Sequence, residues 1–162
     1  MKFDDKHTFN KPAATVMKMF SDRGYFERKY QQLGVDDLEI LECGKSGNTF
    51  RIKSRFKVKN DAPLPDFAKK FMAEKNTVTQ QDTWDCTAMT GRLDIEIKGV
   101  PVKVSADMAL KNEGGGCANH LKWNISCGIP LIGGKLESVV SEDIKAKSKA
   151  DVATSRKILN DY

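Results

Sequence analysis

The chain has 162 residues, 40% hydrophobic and 30% charged, with a formal charge of +5 at pH 7. That length suits a single domain with a real core. No stretch approaches the ~20 consecutive apolar residues of a membrane span, and the opening Met1 to His7 lacks the apolar run of a secretory signal, so a cytoplasmic protein is expected.

Lys2 to Phe9 reads as a strand with Phe3 and Phe9 apolar. Asn10 is expected to cap a short helix with Pro12 near its first turn and Val16, Met17 and Phe20 on its apolar face. Ser21-Asp22-Arg23-Gly24 breaks that helix, and Tyr25 to Leu33 makes a second, closed by Gly34.

The period then changes from helical to alternating. Leu38 and Ile40 alternate with Asp37 and Glu39. After the turn from Gly44 to Gly47, Phe50, Ile52, Ser54, Phe56 and Val58 alternate with Arg51, Lys53, Arg55 and Lys57. Lys59 to Asn76 is too long for a hairpin turn and contains Phe67, Phe71 and Met72, so a loop with a short amphipathic helix is predicted there, placed to act as a lid. Further strands follow: Thr77 to Thr87 around Trp84, Arg92 to Lys98, Val100 to Lys111, and one after the Gly114-Gly115-Gly116 turn carrying Cys117, Asn119, Leu121, Trp123, Ile125 and Cys127 on one face. Short turns between these strands make them antiparallel neighbours.

From Leu136 the apolar spacing is helical again. Leu136, Val140, Ile144, Ser148, Val152, Ser155 and Leu159 form one stripe, while Lys145, Lys147, Lys149, Asp151, Arg156 and Lys157 are expected mostly away from it. The stripe is large at its start and small or polar at Ser148, Ala150, Ala153 and Ser155. Either the small residues leave room for a cavity or the helix departs from the core near its end. A sheet with one apolar face needs a cover, and this helix is the only element long enough. The predicted fold is therefore α+β: a curved seven-stranded antiparallel sheet around a long C-terminal helix, with two short helices after the first strand. No repeat or linker divides it, so residues 1–162 are taken as one domain.

That order of elements resembles the START-like superfamily, also described as the helix-grip, SRPBCC or birch-pollen-allergen-like fold. The Trp84 strand, the Gly99-Val100-Pro101 turn and the run from Gly128 to Glu137 resemble an uncharacterised bacterial branch of it. The order covers the whole chain, and the specific motif about a dozen residues. The resemblance implies a cavity between sheet and helix that holds a lipid, sterol, polyketide or other hydrophobic small molecule. The superfamily also includes cyclases, dehydratases, co-chaperones and a toxin, so the fold alone assigns no activity.

Read residue by residue, the expected cavity lining is Phe50, Phe56, Trp84, Leu93, Ile95, Met108, Leu121, Trp123, Val140 and Ile144, with Phe67, Phe71 and Met72 as the lid. Gln80 and Asp82 share parity with Trp84, and Asn119 shares it with Trp123. These three are the polar candidates, either facing the cavity or lying at an exposed or bulged strand end. An enzyme using Asp82 with Gln80 or Asn119 is the rival reading, and a docking module the third. Arg51, Lys53, Arg55 and Lys57 form a cationic face that either pairs with Asp37 and Glu39 or docks on anionic membrane. Gly133-Gly134-Lys135 fails the phosphate-loop pattern and is read as close helix packing. His7 and His120 have no ligand-spaced partner and are read as solvated. Cys43, Cys86, Cys117 and Cys127 show no C-x-x-C pair and are read as buried small hydrophobes. No metal, cofactor or nucleic-acid partner is expected.

Overall fold

Alternation of apolar and polar side chains builds the sheet. In β3 (Thr49–Lys59), Phe50, Ile52, Ser54 and Phe56 are buried, and Arg51, Lys53, Arg55 and Lys57 lie on the opposite face, as the period of two along a pleated strand requires. The computed structural model describes residues 1–162. It places β3 in one seven-stranded sheet with β1 (Lys2–Phe9), β2 (Asp36–Ser46), β4 (Lys75–Asp85), β5 (Thr90–Ile97), β6 (Lys103–Glu113) and β7 (Gly116–Ser126). The order is β1-β7-β6-β5-β4-β3-β2, and every neighbouring pair is antiparallel.

Two short helices, α1 (Ala13–Phe20) and α2 (Arg23–Leu33), follow β1. Asn10 does not cap α1: Pro12 occupies the N-cap, and because proline offers no side-chain acceptor, Asn112 of β6 accepts from the Ala13 N–H at 2.8 Å. Asp22 caps α2 by accepting from the Gly24 N–H at 3.0 Å, and Gly34 closes it in the left-handed region at φ 72°, where glycine has no steric penalty.

The long helix α3 (Gly133–Leu159) has 27 residues, roughly 40 Å at ~1.5 Å per residue. It begins three residues after Pro130. A Cβ on Gly133 would stand 2.8 Å from the Cys127 carbonyl oxygen, so the helix start does approach the end of β7 closely, whereas Gly134 has open space. The buried stripe runs through Leu136, Val140, Ile144, Ser148 and Ser155 to Ile158 and Leu159. The helix therefore stays on the core to its end, and its small residues mark space beneath it. Ala150 and Ala153 are exposed and do not face that space. Asp151 and Lys147, expected to point away, reach it instead.

The segment between β3 and β4 contains one 3-10 turn, Asp66–Lys70. Of the four cysteines only Cys117 is buried; Cys86 and Cys127 are half-buried and Cys43 is exposed, because β2 is a sheet edge with two register shifts and little packed on it. No helix is long and apolar enough to cross a membrane.

Candidate functional site

The site is a product of strand register. One row across the sheet reads Ile52, Asp82, Leu93, Ala106, Trp123, Phe3; the row beside it reads Phe50, Trp84, Gly91, Met108, Leu121, Asp5. Directly paired residues on one face stand within side-chain contact, so these rows form the floor facing α3. Gly91 makes room for the Trp84 indole: a Cβ there would lie 2.8 Å from the ring and 2.7 Å from the Thr83 carbonyl oxygen.

Between this floor, α2 and α3 lies a cavity of about 140 Å³. Trp84, Leu93, Ile95, Met108, Leu121, Trp123 and Ile144 line it, as do all three polar candidates, Gln80, Asp82 and Asn119. Phe50, Phe56 and Val140 do not. They are plain core: Phe50 stacks on Phe26, Phe56 packs on Tyr30 at 4.6 Å between ring centroids, and Val140 is on the buried face of α3. The volume is smaller than the several hundred Å³ usual for small-molecule sites, because α1 and α2 add Phe20, Tyr25, Phe26 and Lys29 to the lining.

These α1 and α2 residues, with several polar groups, are what sequence reasoning missed. Lys29 is buried, with its ammonium over the rings of Tyr25, Phe26 and Tyr30 at 5.1–5.2 Å and 3.1 Å from an Asp151 carboxylate oxygen. Burial works against its charge, but Asp151, Tyr25, Tyr30 and Asp82 together outweigh burial and hold the ammonium well above the ordinary lysine range. The Tyr25 hydroxyl and Ser155 Oγ are 2.7 Å apart, and burial pushes the Tyr25 hydroxyl up to about 12. Asp82 is buried with one side-chain partner, Gln80 Nε2, which donates to Oδ1 at 3.1 Å. Burial raises the Asp82 carboxyl to about 6, against the opposing pull of Lys29 and Gln80. Asn119 Oδ1 and Trp123 Nε1 are buried without a hydrogen-bond partner.

At the β1 side, His7 is also a lining residue and not a solvated one. Ser148 Oγ donates to Asp5 Oδ2 at 2.7 Å, and His7 Nε2 lies 2.7 Å from Ser148 Oγ and 3.0 Å from Asp5 Oδ2. The carboxylate and the hydroxyl thus meet the same ring nitrogen. A proton relay needs them on opposite nitrogens, so this is a hydrogen-bonded strut between β1 and α3. Burial favours the protonated form of Asp5, but Ser148, the charge of His7 and the Lys6 N–H together hold its carboxyl below the usual range.

The proposed lid lies apart from the lining. Met72 is buried and Phe67 and Phe71 are half-buried against the general core, none of them on the cavity wall. On the outer face, Arg55 pairs with Glu39 at 3.0 Å and Lys57 with Asp37 at 3.5 Å. Half of the cationic strand is therefore neutralised by its neighbour, and Arg51 and Lys53 have no ion-pair partner. His120 pairs with Glu113, and no three His, Cys, Asp or Glu side chains cluster as metal ligands would.

Residues 4–157 match a family described as protein of unknown function, DUF2505. The chain belongs to the DUF2505 family. No curated protein matches it. In fold, this DUF2505 protein is similar to TTHA0849 from Thermus thermophilus, with 17% identity and a TM-score of 0.68 over 98% of this chain and 97% of that one. It is also similar to the Zhui aromatase/cyclase from Streptomyces sp. R1128, with 13% identity and a TM-score of 0.66 over 99% and 93%. A third similar structure is Ara h 8.0201, with 15% identity and a TM-score of 0.66 over 100% and 99%. At such identities the likeness is one of fold, and the DUF2505 chain has the START-like helix grip.

Proposed function

We propose that the DUF2505 protein binds a small hydrophobic molecule in the space between its sheet and α3. The observation that supports this is that α3 stays on the core while presenting Ser148, Asp151 and Ser155 to it, so that a cavity walled by Phe20, Trp84, Met108, Leu121 and Trp123 is left beneath the helix. Its volume, about 140 Å³, is close to that of a cavity of ~150 Å³ that admits benzene. A molecule of one or two rings fits such a space, and a whole acyl chain does not. Sequestration or carriage of that molecule is the role this reading assigns.

Catalysis is the weaker reading, because the groups that meet in pairs are held to each other: Lys29 to Asp151, and His7 and Ser148 to Asp5. Toluene is a suitable probe, followed by chemical-shift changes of the lining methyl groups. Leu121→Trp, which fills the space from the floor, should abolish toluene uptake with little loss of stability. Unchanged shifts with saturating toluene would remove the binding reading. Native mass spectrometry of protein purified from its own host then identifies the bound molecule.

A further inference from the structure

The charges in the cavity wall are matched except at one point. Lys29 of α2 pairs with Asp151 of α3 at 3.1 Å, Lys147 pairs with Asp61 at 3.1 Å and also with Asp143, and His7 of β1 meets Asp5. Asp82 of β4 pairs with none of them. Its residue is 8% exposed, Gln80 occupies Oδ1, and Oδ2 has no protein partner although the side chain lines the cavity. Charged groups are rarely left this deep in a protein without a partner.

The surroundings narrow what that partner is. With Lys147 held by Asp61 and Asp143, the group of Lys29, Asp151 and Asp82 leaves one net negative charge in a wall that also presents the rings of Phe20, Tyr25, Phe26, Trp84 and Trp123. A ligand carboxylate would add a second unpaired negative charge. A neutral alcohol would satisfy Oδ2 but leave the charge uncompensated. An organic ammonium satisfies both, and aromatic faces attract cations through their quadrupoles.

Resting on the cavity-binding reading, we infer that Asp82 is the polar anchor of the site and that its ligand is a small aromatic amine, with the ammonium on Asp82 and the ring against the aromatic wall. The groups that tune Asp82 are Lys29 from α2, Gln80 on its own strand and Asp151 from α3, with Tyr25 and Tyr30 beside Lys29. Because the complex needs the ionised carboxylate, affinity for an amine falls as pH drops through about 6, where Asp82 takes up a proton.

The experiment titrates the full chain with benzylamine, benzyl alcohol and toluene by calorimetry at pH 7.5 and at pH 5, for the native protein and for Asp82→Asn. A charge-assisted hydrogen bond is worth roughly tenfold or more in affinity. Benzylamine should therefore bind the native protein about tenfold more tightly than toluene at pH 7.5. It should lose that advantage over toluene, measured under the same condition each time, at pH 5 and in Asp82→Asn. The pH comparison needs no variant, and thermal unfolding reports whether Asp82→Asn is folded. Equal affinities for benzylamine and toluene overturn the anchor and leave the apolar cavity standing. Equal affinities for benzylamine and benzyl alcohol overturn the cation. Binding of none of the three overturns the cavity-binding reading together with the inference.

Discussion

Asp82→Asn should make the protein more stable at neutral pH, and the size of the gain follows from the burial of the carboxylate. Burial raises the Asp82 carboxyl from 3.8 to about 6 in the folded protein. At ~1.4 kcal/mol per pK unit the ionised side chain costs the folded state about 3 kcal/mol above that pH. The sign follows from which state holds the proton. Between about pH 4 and pH 6 the folded chain keeps it while the unfolded chain has lost it, so stability is full below about pH 4 and declines until the folded carboxyl has ionised. Asparagine does not titrate and escapes the decline. The opposing pull of Lys29 is already contained in that shift, so the net gain is about 3 kcal/mol, or roughly 6–12 °C for a chain of this length. Thermal unfolding followed by circular dichroism between pH 4 and pH 8 reads this directly. The variant and the native protein should melt together near pH 4 and separate as pH rises. A difference that is constant with pH, or a less stable variant at pH 7, would refute the account of Asp82 as a buried, unpaired carboxylate.

Removing the partner of Lys29 should act in the opposite direction. Asp151→Asn leaves a buried ammonium without its ion pair, a loss of ~3–5 kcal/mol for a fully buried pair. Solvent reaches the Asp151 side chain, 36% exposed, which reduces this to about 2–3 kcal/mol in urea unfolding; the double variant with Lys29→Met should recover most of it. Gly91→Ala pushes a methyl group to 2.8 Å from the Trp84 ring and 2.7 Å from the Thr83 carbonyl oxygen. It should destabilise by about 1–3 kcal/mol and shift the Trp84 fluorescence, and an unperturbed emission spectrum would mean that the strand pair relaxes at no expense to the indole.

The fold was legible because its signals are local. Alternation in β3, the turn at Gly114 to Gly116 and the long apolar stripe of α3 each depend on neighbours within one element, and the antiparallel order follows from turn lengths. Parity likewise carried Gln80, Asp82 and Asn119 onto the cavity side with Trp84 and Trp123. The same argument applies to Asp5 and His7, which share the parity of Phe3 and Phe9 and face inward with them. Lys29 and Asp151 were harder for a physical reason. A charge is ordinarily a marker of solvent, and only the packing of α2 against α3 brings the two together. The signal for Lys29 was present in its spacing, since it shares a helical face with Tyr25, Phe26 and Tyr30. The cavity volume has no local signature at all, because it depends on how closely α3 approaches Ala106 and Gly91 and on how far α1 and α2 reach in.

The polar wall also bears on why the space exists. A cavity left by imperfect packing is lined by truncated apolar side chains, and it destabilises in proportion to its volume with no group inside it needing a partner. Here the lining includes an ion pair, Lys29 with Asp151, whose desolvation is compensated by its own geometry, and a carboxylate, Asp82, whose desolvation is not. Leucine at positions 29, 82 and 151 would seal the helix against the sheet with apolar contacts and remove each of those charges from the core. Arranged as they are, Lys29 and Asp151 hold one fixed pair at the α2–α3 contact, and Gln80 presents Asp82 by one oxygen only. The remaining oxygen is the one charged position on the wall without a partner in the chain, and that asymmetry is what the proposed binding site requires and a fault in the core would not.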